Sequence, residues 1–172
     1  MEGDTDRIVL ETLAERLRIP FDGARIALMP MNGKANMHIP YVLLRELGID
    51  VYVVADRDAK GAQRKHPTDI GKRMKADASH KRAIEQLLSW LDTTGSSYAY
   101  ADPTVVTKDG IIFEDDMEEE LAQWPDFVAR LAGAGGTIRS KNVLQYRSAV
   151  NDASMSGYPA KILALINALH VM

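Results

Sequence analysis

Residues 51–61 read VYVVADRDAKG, and the reading of the fold turns on them. An apolar run of strand length, Val51 to Ala55, ends in two aspartates, Asp56 and Asp58, one residue apart. Just upstream, HIPYVLLRELG (38–48) reads as a helix closed by Gly48. Before it, ARIALMPM (24–31) reads as a short apolar strand ended by the turn signal Asn32–Gly33. Strand, helix and strand in this order make a βαβ unit, which predicts a parallel pair and an α/β fold.

The aspartate pair allows two readings. In an extended segment, residues i and i+2 point the same way, so both carboxylates can face one site. Like charges that close repel unless a cation lies between them, and hard oxygen ligands suit Mg²⁺ or Mn²⁺. In open parallel sheets ligands also sit beyond the carboxyl ends of the strands. The other reading is a turn, in which Asp bonds its own backbone.

Working outward, TDRIVLETLAERL (5–17) has helical spacing, with Asp4 or Thr5 as its cap. Residues 59–74 are polar and basic and read as a loop or insertion, which extends to about residue 100. DASHKRAIEQLLSWL (77–91) is a helix, TTGSS (93–97) a turn, and TVVTKDGIIF (104–113) one or two strands broken at Asp109–Gly110. EDDMEEEL opens a helix reaching about residue 131, GAGG (133–136) breaks it, and two helices close the chain within 137–172.

The 172 residues are 46% hydrophobic and 26% charged, which fits one globular domain over 1–172. With no cysteine, disulfides, thiolate metal sites and a cysteine nucleophile are excluded. No signal-peptide pattern opens the chain, and no apolar run reaches the roughly 18 residues of a membrane span, so a cytoplasmic protein is expected. Four dispersed histidines make no zinc pair, and neither a P-loop nor a G-x-S-x-G elbow is present.

Charge is unevenly spread. Residues 57–82 hold nine Lys/Arg and three Asp, a local +6. Twelve basic and twenty-one acidic residues remain elsewhere, or −9, against a net −3 overall. Such an arm either touches phosphate or is a solvated face. Glu2 and Asp6 flank a helix start, where acids also favour the dipole. Asp116 and Glu118 follow a strand within a run of acids. Lys161 stands in an apolar helix, as a snorkelling lysine or as a cation for phosphate.

The order of EGDTD (2–6), PMNGKAN (30–36), LLRELGIDVYVVADRDA (43–59), DDMEEEL (115–121) and Lys161 resembles the topoisomerase–primase (Toprim) nuclease domain of the overcoming-lysogenization-defect family. The resemblance implies a Toprim-like, Rossmann-like fold: a mainly parallel sheet flanked by helices, with additional C-terminal helices. In that fold a strand precedes the first glutamate; here only Met1 does, so that strand is expected to be absent.

By the same resemblance, Glu2, Asp56 and Asp58 look like ligands of one divalent metal, and Asp6, Asp116 and Glu118 like ligands or water-mediated contacts of a second. Glu2 and Lys161 look catalytic, the lysine acting at the transition state. Two such ions hydrolyse a phosphodiester. Lys34, Arg57, Lys60, Arg64 and Lys65 are the candidate DNA contacts. The implied partners are DNA, an ATPase domain upstream in the full-length protein, and a second copy of the chain in a homodimer. The implied activity is a Mg²⁺- or Mn²⁺-dependent DNA endonuclease. The alternatives are a non-catalytic Toprim-like module binding DNA or a partner, and a primase- or topoisomerase-type Toprim domain.

Overall fold

The computed structural model describes residues 1–91 and 103–171. In chain order the elements are α1 (Asp4–Arg16), a 3-10 turn (Lys34–Asn36), α2 (His38–Glu46), β1 (Val53–Asp56), α3 (Gly61–Lys65) and α4 (Ile70–Leu91). Then follow β2 (Val105–Val106), β3 (Gly110–Phe113), α5 (Met117–Leu121), α6 (Pro125–Gly133), α7 (Val143–Asp152) and α8 (Ala160–Val171). The chain sorts into two compact units. A sheet unit holds Glu2 and Met31–Asp116; a helical unit holds Met1, Gly3–Pro30 and the chain from Met117 on.

In the sheet unit the strand order is β1-β3-β2. β1 runs parallel to β3, with Val53 opposite Gly110 and Asp56 opposite Phe113. β2 pairs antiparallel to β3 through the break at Asp109–Gly110. All four residues of both β1 and β3 are buried, as in strands covered on both faces. Their cover includes Ile84, Leu87, Leu88 and Leu91 of α4 and Tyr41 of α2, packed with Val53, Ala55 and Ile112. The fold is thus mixed α/β with a small three-stranded sheet, and one of its two pairings is parallel.

Gly110 is where the parallel pair comes closest. A Cβ there would lie 2.7 Å from the Val53 carbonyl oxygen and 3.3 Å from Leu91 Cδ1. The first is backbone of the neighbouring strand and cannot swing aside. Gly110→Ala is expected to cost about 1–3 kcal/mol by overpacking, read as a lowered urea midpoint with an unchanged slope.

In the helical unit, α1 packs on α7 and touches α8, while α6 packs on α7. α1 buries Val9, Leu10, Leu13 and Ala14 along one face, and α8 buries Ile162, Leu165, Ile166 and Leu169. Trp124 fills its centre. It is wholly buried, stacks on Phe127 and donates its indole N–H to the Ser154 carbonyl at 2.8 Å.

Four local expectations are corrected. Residues 24–30 alternate between half-buried and exposed, as an extended run does, but join no ladder, so the expected strand 24–31 is not formed. The parallel partner of β1 is instead β3. Residues 59–74 are not a loop throughout: 61–65 form α3 and 70–74 start α4. Their Lys, Arg, Gln and Ala residues are good helix formers, and the buried positions of α4 begin only at Ile84, so no apolar stripe marks its first turns. The helix expected to run to about 131 breaks at Trp124, and Pro125 opens α6, where a missing N–H costs nothing. Helix α1 is capped by Gly3 rather than by Asp4 or Thr5. The expected turn at 93–97 and the end of the insertion lie outside the described residues.

One titration follows from the packing beside β1. Burial, and then the charge of Asp109, push the Tyr52 phenol up to about 12. A folded pKa above the unfolded value, about 10, contributes stability present below pH 10 and lost as pH rises towards 12. Alkaline titration of the phenolate absorbance should show a late-ionising tyrosine that Tyr52→Phe removes.

Candidate metal centre

The site is built at the carboxyl end of β1. Beyond Asp56 the chain stays beside β3: the Arg57 N–H donates to Phe113 O at 3.0 Å and the Asp58 N–H to Asp115 O at 2.8 Å. Asp58 then enters the left-handed region with φ +58, which Asp tolerates, and its carbonyl accepts from the Gly61 N–H at 2.8 Å. The turn reading of the pair is therefore realised at Asp58. Because Asp58 lies past the extended segment, the turn, and not strand alternation, aims its carboxylate.

Glu2 reaches the same place by two main-chain bonds. Its Oε1 accepts from the Asp56 N–H at 2.9 Å, and its carbonyl accepts from the Gly33 N–H at 3.2 Å. Gly33 has φ +114, a conformation that L side chains rarely adopt. The bend delivers the next residue, Lys34, into the cluster. Lys34 Nζ donates to the Asp56 carbonyl oxygen at 2.5 Å and to Asp58 Oδ2 at 2.5 Å, and lies 3.5 Å from Glu2 Oε1. Its side chain is 9% exposed. Burial alone pulls the ammonium's pKa down; the charges of Glu2 and Asp58, the hydrogen bond to Asp58 and the charge of Asp56 outweigh it, so the pKa ends raised.

Lys34 was expected on the DNA-facing surface and is not there. Its ammonium pairs with the Asp58 and Glu2 carboxylates and meets Asp56 at its backbone carbonyl oxygen. The donors around Lys34, two carboxylates and one carbonyl, are all oxygen and already gather around a cation. That chemistry fits a hard divalent ion. The Glu2 and Asp58 carboxylates, with the Asp56 carbonyl oxygen, are the groups that would hold it.

A second acidic group follows β3. Arg64 bonds Asp115 through Nη1 and Asp116 Oδ2 through Nη2 at 2.6 Å, and the Lys60 N–H donates to Asp115 Oδ1 at 2.9 Å. Burial works against the Arg64 charge, but the hydrogen bond to Asp115 and the charges of Asp116 and Asp115 prevail, so its pKa is raised. Within this one short stretch of sequence, Asp115, Asp116 and Glu119 each offer an oxygen within 4.8 Å of the others, a group that could hold a metal ion. Asp115 was not singled out among the six acids of 114–120. The available clue was its place two residues past a strand.

The remaining candidates have other local partners. Asp6 accepts from the Gly3 N–H at 2.9 Å, closing the first turn of α1. Glu118, 1% exposed, pairs with Lys141 at 3.1 Å rather than joining the Asp116 group. Lys161 pairs with Glu120 Oε1 at 2.6 Å. Arg57 is corrected as a surface contact: it is 1% exposed, and its Nη2 donates to the Pro103 carbonyl at 3.2 Å, turned inward by the alternation that follows β1. Lys60 and Lys65 are exposed; Arg64 is a third exposed and occupied by carboxylates.

Residues 1–58 match the family model described as overcoming lysogenization defect protein-like, TOPRIM domain. The likeness read from the sequence holds over this span, a third of the chain, which ends on Asp58 and includes Glu2, Lys34 and Asp56. No curated protein and no solved structure matches the chain. Among the described residues, no helix is long and apolar enough to cross a membrane.

Proposed function

We propose that the chain is a nuclease module that hydrolyses DNA phosphodiester bonds with Mg²⁺ or Mn²⁺. The observation that carries the reading is the gathering of the Glu2 and Asp58 carboxylates and the Asp56 carbonyl oxygen around one cation position at a strand end. A bound divalent ion supplies Lewis-acid stabilisation to the scissile phosphate and its leaving oxygen. The protein's part is to hold the carboxylates. Glu2 is tied to β1 by the Asp56 N–H, and Asp58 is aimed by its left-handed turn. Asp116, with Asp115 beside it, is the group for a second ion, and Lys161 is the cation for the transition state. The exposed lysines of the basic arm, Lys60 and Lys65 among them, hold the DNA backbone without reading its sequence.

A second reading, a non-catalytic module, is favoured by one observation. Lys34 and Arg64 already neutralise carboxylates of both groups. Nicking of supercoiled plasmid decides between them. The nuclease reading expects open-circle product with MnCl₂ or MgCl₂ and none with EDTA. Protein that neither nicks DNA nor binds Mn²⁺ calorimetrically would establish the second reading.

A further inference from the structure

We infer that Lys34 is the resident counter-ion of the Glu2 and Asp58 carboxylates beside the Asp56 carbonyl, and that a divalent cation enters this cluster by displacing the Lys34 ammonium. The inference rests on reading the cluster as a metal centre and adds the residue that controls access to it.

Three features support it. First, Nζ occupies the position a metal would take: 2.5 Å from Asp58 Oδ2, 2.5 Å from the Asp56 carbonyl oxygen and 3.5 Å from Glu2 Oε1. With its side chain 9% exposed, the ammonium exchanges most of its water for these oxygens. Second, one place cannot hold both charges. A divalent ion and an ammonium sharing the same ligands repel strongly at ångström separations, so binding the first expels the second. Third, the lysine is free to leave. It sits at the start of a 3-10 turn in which no residue is buried, just after Gly33, and its four-carbon stem is flexible.

The expected consequence is competition. In the metal-free chain Lys34 offsets the repulsion among the carboxylates; in the loaded chain it is the displaced party. Its removal should therefore strengthen metal binding, whereas a lysine that merely braced the ligands would weaken binding when lost. The sign separates the two roles.

The test is calorimetric titration of the full chain with MnCl₂, in wild type, Lys34→Met and Lys34→Arg. Lys34→Met is expected to bind Mn²⁺ about tenfold tighter or more, because a positive charge leaves the cluster. Lys34→Arg, which keeps the charge, should bind more weakly than Lys34→Met. Unchanged or weaker binding by Lys34→Met overturns the inference. A wild-type measurement guards against a variant that does not fold: the ¹⁵Nζ ammonium resonance of Lys34, followed during Mg²⁺ titration, should shift or broaden as the group enters water. A resonance unmoved at saturation overturns the inference as well. Mn²⁺ binding abolished by Asp58→Asn but untouched by Lys34→Met sinks this inference alone. No binding by any variant sinks the metal reading and this inference with it.

Discussion

If the chain is the nuclease proposed, Asp58→Asn, alone or with Asp56→Asn, is expected to lower metal-dependent plasmid nicking by about 100-fold or more, because the proposed ligand would sustain several kcal/mol of transition-state charge stabilisation. Asparagine is the informative replacement. It tolerates the left-handed backbone of Asp58, so the turn that Gly61 closes is retained. The β1–β3 ladder at Asp56 is made by backbone and is likewise retained. What changes is charge: Lys34 loses the partner at 2.5 Å. Melting temperatures in EDTA, read beside the nicking rates, separate lost chemistry from lost fold. Asp69→Asn is the control. Asp69 accepts from the Lys72 N–H at 2.9 Å at the start of α4, a bond an asparagine also makes, and it belongs to neither acidic group. Nicking that persists in Asp56→Asn/Asp58→Asn would remove this cluster from the mechanism.

The second large effect is on stability. Trp124→Ala is expected to cost about 3–5 kcal/mol, the range for deleting a wholly buried large aromatic. The loss has two parts. The cavity removes the stacking partner of Phe127, whose ring centroid lies 5.6 Å away, and the edge contact of Tyr158. The Ser154 carbonyl also loses its donor. Trp124→Phe isolates the second part, since it keeps most of the apolar bulk; about 1–3 kcal/mol is expected there, the range for a buried group left unsatisfied. Urea denaturation followed by far-UV circular dichroism reads both. A cost of Trp124→Ala below about 1 kcal/mol, a surface-like value, would contradict this packing.

Much of the fold was legible because its signals are local. The helices α2, α7 and α8 follow the 3.6-residue spacing of their apolar positions, and β1 and β3 are short apolar runs next to turn signals. The break between β2 and β3 falls at Asp109–Gly110 as the dipeptide suggests. The misreadings have the same origin. The run 24–31 looks like a strand locally, but a strand exists only if a partner offers it a ladder. The basic stretch 59–74 looks like a loop because its helices bury almost nothing, and periodicity reports burial.

The candidate site divides along the same line. By itself the sequence determined the acidic pair at the end of an apolar strand, the Gly–Lys turn and the family likeness over residues 1–58, since each is written in consecutive residues. It could not reveal that Glu2 binds the backbone of Asp56 across 54 positions, or that Lys34 reaches Asp58 across 24. Nor could it separate Arg57, turned into the core, from the exposed Lys60 three residues on. Those were decided by the tertiary structure alone. A charged side chain takes its role from whichever opposite charge or solvent the folded chain places within a few ångströms, and that neighbour is set by packing over distances in sequence that no local pattern spans.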